Sequence, residues 1–229
     1  SEWFAEQVVR LPGCFICYRA PAEAPPVASL PAAGNGYVTF GSFNNLAKVT
    51  PHVVGWWAKI LHAVPKARLL LKDWSIVDPG QQDKYRRLFE LKGIDSGRLD
   101  LRPAIPFPGH LAEYGHVDIA LDPFPYGGCY TSCEALWMGA PVVTLGGSLS
   151  SGRYGVSLLS NLGFKDLIAK SHEEYVAKAV ALAKDWKRLA ALRVELRPRM
   201  AASPLCDADA LARGVEKAYR RMWKRWCTG

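Results

Sequence analysis

No stretch of this chain comes near the roughly 18–20 uninterrupted apolar residues that a membrane-spanning helix needs. Its first residues, Ser1-Glu2-Trp3-Phe4-Ala5-Glu6, lack the basic and apolar regions of a secretory signal, so a soluble, cytoplasmic protein is expected. Both common phosphate signatures are missing: no Gly-rich loop ends in the Lys-Ser/Thr of a Walker A motif, and no G-x-G-x-x-G dinucleotide fingerprint occurs. No internal repeat is evident, which excludes solenoids and tetratricopeptide arrays within these residues. Carboxylates and histidines do not gather into a metal-binding set, so neither a metal nor another cofactor is expected. Cysteine is sparse in pattern as well as in number. Cys14-x-x-Cys17 stands alone, because the other close pair, Cys129 and Cys133, opens a helix far along the chain. Free thiols are therefore the reading, in keeping with a reducing compartment.

What remains is a chain of 229 residues, 49% hydrophobic, long enough to bury one full core. The net charge of +8 raises the question of a nucleic-acid partner. Much of that charge sits on Arg213, Lys217, Arg220, Arg221, Lys224 and Arg225, spaced as on the solvated face of a helix, which argues against a nucleic-acid ligand. Residues 1–36 form a lead-in whose Pro12, Pro21, Pro25, Pro26 and Pro31 forbid a long helix or a central strand. From 37 to 229 apolar strand patterns alternate with helical ones. Strands are expected at Tyr37–Ser42, Ala67–Leu71, Arg98–Arg102, Val117–Leu121 and Pro141–Leu145. Helices are expected at 51–64, 79–92, 130–138, 153–162, 172–184, 186–201 and 207–226, with a short one between Pro108 and Gly115. The fold class is thus α/β, a Rossmann-like doubly wound parallel sheet with a helical C-terminal region.

The most informative stretch runs from Val117 to Gly139. An apolar strand ends at Leu121, a Pro/Gly loop carries Gly127-Gly128, and a helix opens at Tyr130 with Thr131 in its first turn. Backbone N–H groups and the helix dipole converge at such a junction and favour an anion. One turn in, the carboxylate of Glu134 suits the two hydroxyls of a ribose. An ordinary strand-to-helix connection with a surface Glu satisfies the same pattern.

These residues resemble the donor loop of the O-linked N-acetylglucosamine transferase and SPINDLY-like glycosyltransferases, a GT-B family. Further matching pieces follow in order: Phe40-Gly41-Ser42-Phe43-Asn44-Asn45-Leu46-Ala47-Lys48, Trp57-Ala58-Lys59-Ile60-Leu61, Ala135-Leu136-Trp137-Met138-Gly139-Ala140-Pro141 and Ser203-Pro204-Leu205. The resemblance implies the C-terminal, donor-binding half of an inverting, metal-independent transferase. Its donor would be a UDP-sugar, UDP-N-acetylglucosamine in the first place, and its acceptor a protein Ser or Thr hydroxyl. Lys48 corresponds to the family's phosphate-binding lysine and is the catalytic candidate, since a point charge there neutralises the departing diphosphate. Asn45 replaces a glutamine, and His110 matches a histidine that lies against the base. Gly128, Cys129, Tyr130 and Thr131 line the diphosphate and sugar, and Glu134 stands for an aspartate on the ribose. Phe107 and Glu113 depart from a lysine and an arginine, which leaves the base open; GDP-fucose and an Asn acceptor are alternatives, as is a non-catalytic nucleotide-sugar module. The N-terminal half, with its acceptor groups, and the family's tetratricopeptide repeats would be missing partners, so turnover by these residues alone is expected to be poor or nil.

Overall fold

The computed structural model describes residues 5–107 and 109–228. Among them, six parallel strands form one sheet: β1 (Thr39–Ser42), β2 (Arg68–Asp73), β3 (Leu99–Pro103), β4 (Ile119–Leu121), β5 (Val142–Leu145) and β6 (Ile168–Ala169), in the order β3-β2-β1-β4-β5-β6. The helices are α1 (Pro31–Asn35), α2 (Pro51–Ala63), α3 (Pro79–Glu90), α4 (Gly109–Ala112), α5 (Tyr130–Trp137), α6 (Tyr154–Leu162), α7 (His172–Lys184), α8 (Trp186–Ala201) and α9 (Ala208–Thr228). The doubly wound parallel sheet is the expected fold. Strand order reverses between β1 and β4, whose register pairs Phe40 with Ile119. Connections leave that point in opposite directions, so a crevice opens above the carboxyl ends of the two strands.

Local chemistry sets the elements. Leu69, Leu70 and Leu71 are all fully buried, as a strand covered on both faces requires. Helix α2 starts where Thr50 accepts from the amide of Val53 at 3.4 Å and Pro51 takes the first helical position. Asp78 and Pro79 open α3 in the same way, and Gly93 beyond its end sits at a φ of 75°, where glycine is unstrained. Two features exceed the expectation from sequence. β2 continues through Lys72 and Asp73, and a two-residue β6 pairs with β5 through Thr144 and Ile168. Neither signals itself locally, because charged residues and a dipeptide carry no strand period.

The lead-in is packed against the sheet. Cys14, Tyr18 and Ala32 are buried, and the amide of Tyr18 donates to the carbonyl of Leu205 at 2.6 Å. Two buried charges clamp it. Asp118 accepts from the amides of Ala32 at 2.9 Å and Thr39 at 2.8 Å. Arg193 donates to the carbonyls of Ala28, Val117 and Tyr114 at 3.0, 2.7 and 3.0 Å. All six cysteines are free thiols. Helix α9 leaves Tyr219, Trp223 and Trp226 exposed beside its basic residues. No helix among the described residues is long and apolar enough to cross a membrane.

Beneath the crevice, α2, α7 and the end of β4 are tied by one hydroxyl. Trp57 Nε1 donates to Tyr175 Oη at 3.0 Å, and that hydroxyl donates to the carbonyl of Asp122 at 3.0 Å. Both bonds are buried. Tyr175→Phe should leave a donor and an acceptor unpaired and cost about 2 kcal/mol or more. Urea unfolding should show a lower midpoint at unchanged slope.

Candidate functional site

The site is built from four loops at the sheet's carboxyl edge. β1 delivers Asn44, Asn45 and, through a turn of 3₁₀ helix, Lys48; β2 delivers Lys72; the segment after β3 delivers His110 and Tyr114; β4 delivers Asp122 and the loop into α5. That last loop is shaped by Asp122. Its Oδ1 accepts from the Ser132 hydroxyl at 2.8 Å and from the Gly128 amide at 3.3 Å, so the loop folds back over the strand end. Gly128 is required by close approach: a Cβ there would lie 2.2 Å from Ser132 Oγ and 2.8 Å from Thr131 Oγ1. Oδ2 of Asp122 is buried without a hydrogen bond of good geometry, although the Thr144 hydroxyl lies close enough to favour the ionised form. Desolvation dominates and raises the Asp122 carboxyl from an ordinary 3.8 to about 6.

Lys48 leans over the same loop. Its Nζ donates to the carbonyl of Gly127 at 3.1 Å and to Asn44 Oδ1 at 3.3 Å, and lies 4.4 Å from the centre of the Tyr126 ring. Asn44 Oδ1 also accepts from Thr131 Oγ1 at 3.2 Å, so a single buried amide joins the lysine to the first turn of α5. Burial lowers the Lys48 pKa, against the pull of Asp122 and then Cys129. The lysine is not sealed off: an open groove of about 530 Å³ lies on its outer side, lined by Asn45, Thr50, Pro125 and Tyr126 among others.

A second polar chain stands behind the helix. His110 Nε2 is 3.0 Å from Glu134 Oε2, and Tyr114 Oη reaches the same oxygen at 3.4 Å and the Thr131 carbonyl at 3.0 Å. On the ring's other side, Lys72 Nζ is 3.1 Å from His110 Nδ1. Phe107 lies nearly parallel to the imidazole, 5.5 Å between centroids. Desolvation first, then the neighbouring Glu134, drives the Tyr114 phenol well above its usual range, so it stays a neutral donor.

The profile of glycosyl transferase family 41 matches residues 29–215. The chain belongs to that family. The SPINDLY protein of Arabidopsis thaliana, named a probable UDP-N-acetylglucosamine–peptide N-acetylglucosaminyltransferase, is 48% identical over 225 residues, 98% of this chain and 25% of that protein. The UDP-N-acetylglucosamine–peptide N-acetylglucosaminyltransferase of Caenorhabditis elegans is 31% identical over 193 residues, 84% of this chain and 16% of that one. Among solved structures, a mutant O-GlcNAc transferase of Thermobaculum terrenum superposes with a TM-score of 0.91 at 39% identity, covering 99% of this chain and 43% of that one. This family-41 chain therefore spans about a quarter of the length of the SPINDLY relative it matches.

Within this family-41 chain the residues singled out from sequence gather at the carboxyl edge of the sheet, at different depths. Lys48, Thr131 and Gly128 converge at the start of α5. Tyr130 is exposed at that start, its ring tilted against Tyr18 at 5.4 Å, and Cys129 beside it is partly exposed. Asn45 is at the rim, where its Oδ1 accepts from the Ala47 amide at 2.8 Å and so closes the local turn. His110 and Glu134 are paired, with Glu134 almost fully buried. Sequence reasoning passed over Asn44, Lys72, Asp122 and Tyr114. A lysine ending the run Leu69-Leu70-Leu71 was the available signal for Lys72, since a charge on a buried strand needs partners.

Asp122 makes the loop pH-sensitive in a defined direction. Its folded pKa is raised, so its favourable contribution is complete below about pH 4 and is lost as pH rises through about 6, when the buried carboxyl ionises. The stability of the wild type relative to Asp122→Asn should fall by about 3 kcal/mol across that window. Denaturant titrations of both proteins at several pH values check it; parallel stability curves would contradict it.

Proposed function

We propose that this chain is the donor-binding part of a glycosyltransferase that moves a sugar from a nucleoside diphosphate to a protein hydroxyl. The observation that carries the reading is the meeting of Lys48, Asn44 and Thr131 at the start of α5, with Lys48 Nζ to Asn44 Oδ1 at 3.3 Å and Thr131 Oγ1 to the same atom at 3.2 Å. A cation, a hydroxyl and free first-turn amides face one point, which is the arrangement a diphosphate needs. As the glycosidic bond breaks, negative charge grows on the leaving diphosphate. Lys48 and the α5 dipole stabilise that charge more than the ground state, which is how they lower the barrier. Glu134 is set back from the phosphates, where a carboxylate would repel them, and lies toward the ribose. His110 offers its ring to the base. The acceptor hydroxyl and the group that takes its proton would come from chain outside these residues.

The names of the relatives favour UDP-N-acetylglucosamine as donor and a peptide hydroxyl as acceptor. One observation favours a purine instead. Glu113, held by Arg102 Nη1 at 2.7 Å, places a carboxylate one turn from His110. A guanine edge offers it an amino donor that uracil lacks. Thermal unfolding with UDP, GDP and their sugars separates the two, since a ligand at 100 times its dissociation constant adds about 2.7 kcal/mol.

Lys48→Ala should weaken UDP binding at least about tenfold, about 1.4 kcal/mol, while uridine binding changes little. Glu134→Ala should weaken both ligands. Calorimetry on the two variants is the check, and unchanged UDP affinity in Lys48→Ala would remove this crevice as the donor pocket.

A further inference from the structure

Lys72 is the least expected side chain in the molecule. It lies near the carboxyl end of β2, an interior strand of the parallel sheet, its residue only 2% exposed, and yet it carries an ammonium group. Its register partner on β3 is Arg102, so no carboxylate faces it across the strand pair. The ammonium instead points to the edge where the crevice opens. There Nζ lies 3.1 Å from His110 Nδ1 and 5.1 Å from the centre of the Phe43 ring. Burying a lysine costs several kcal/mol unless it is held by partners, and replacing buried ionic groups with apolar ones often stabilises a fold. A lysine at this position therefore points to a task other than stability.

We propose that Lys72 is a positioning residue of the donor site, fixing the tautomer and orientation of His110 and, through it, the carboxylate of Glu134. The inference rests on the donor-site reading above. The proton count admits one arrangement of the neutral ring. Glu134 Oε2, as a carboxylate oxygen, only accepts, which favours the ring proton on His110 Nε2, 3.0 Å away, and the ammonium on the ring's other side completes the constraint. Nδ1 is then the acceptor, and an ammonium, which only donates, is the group that satisfies it. The opposite tautomer would set a lone pair against a carboxylate and an N–H against an ammonium. Burial lowers the lysine's proton affinity, while Glu113 and Glu134 support its charge. The chain Lys72–His110–Glu134 thus runs from positive to negative with its protons in register. It holds the imidazole face in the crevice and keeps Glu134 Oε2 occupied, so that the carboxylate cannot swing toward the diphosphate. Lys72 touches no ligand in this scheme and stands apart from Lys48 and the phosphate-facing end of the crevice.

The scheme separates Lys72 from Lys48 by what each loses. Lys72→Met, similar in volume and unable to donate, should weaken uridine and UDP by the same factor, about tenfold, because base and ribose contacts are common to both. Lys72→Arg, which keeps a donor and a charge, should recover most of the loss. Nitrogen-15 NMR of the 229-residue chain should show His110 protonated at Nε2 and bare at Nδ1 in the wild type and in Lys72→Arg, and a mixture of tautomers in Lys72→Met. A Lys72→Met protein with an unchanged tautomer and unchanged uridine affinity would overturn the proposal. So would a wild-type ring protonated at Nδ1, a measurement that decides the matter even if Lys72→Met fails to fold. If the wild type binds none of uridine, UDP, guanosine and GDP, the donor-site reading fails instead, and the proposal falls with it whatever the tautomer shows. A lysine with a merely structural role would shift the melting temperature and leave the tautomer alone.

Discussion

A carboxylate that water cannot reach holds the crevice in shape. Asp122 ends β4 at the place where the strand order reverses, and the chain must turn there from a strand into a helix that points back over the sheet. Its Oδ1 takes the Gly128 amide and the Ser132 hydroxyl, and its carbonyl takes the Tyr175 hydroxyl. Loop, helix and the layer beneath are all referred to one residue. Because these bonds are buried, they are strong when made and expensive to leave unmade, so the loop has little freedom to adopt another path. The position of Gly127 follows, and with it the carbonyl on which Lys48 rests at 3.1 Å.

Charge is then distributed by depth. Lys48 is half-buried at the mouth, next to the dipole of α5 and an open groove, where an anion can reach it. Lys72 and Glu134 are buried below and are joined through His110, so their charges largely cancel within the protein. The mouth is left with net positive character while the deeper wall offers an imidazole ring and an oriented carboxylate. A nucleoside diphosphate has the complementary order: an acidic end and a neutral, hydrogen-bonding end. In the proposed donor site, electrostatics would serve orientation as much as affinity, because a nucleoside diphosphate entered backwards would set its phosphates against Glu134.

The lead-in and the C-terminal region bear on the site from outside. Asp118 and Arg193 each bridge segments far apart in the chain and fasten residues 28–39 to β4 and α8. Buried ionic groups of this kind are seldom the cheapest way to gain stability, but they specify one packing over others. Earlier in the lead-in, Tyr18 is held by its amide to the Leu205 carbonyl at 2.6 Å, and its ring lies 5.4 Å from the exposed ring of Tyr130 at the start of α5.

The sheet could be read from the chain because its strands announce themselves: Leu69 to Leu71 and Val142 to Leu145 are unbroken apolar runs between turn residues, and Thr50-Pro51 and Gly93 mark helix ends by their own backbone preferences. The start of α5 was legible for the same reason, since Gly127-Gly128 cannot continue a strand and Thr131 stands where a first helical turn begins. Lys48, His110 and Glu134 were found through family motifs that hold position along the chain. What the sequence did not determine is which groups would share a proton or a hydroxyl. Asn44 was passed over for its neighbour Asn45, yet only Asn44 is buried and joined to Lys48 and Thr131, while the exposed Asn45 uses its Oδ1 to cap the turn that follows. Lys72, Tyr114 and Asp122 come from three different strands and loops, and their meeting depends on the strand order, which brings β2 and β4 to either side of β1. Local patterns fix periods and turns; the partners of a buried charge are fixed by distances across the sheet, and these exist only once the sheet is formed.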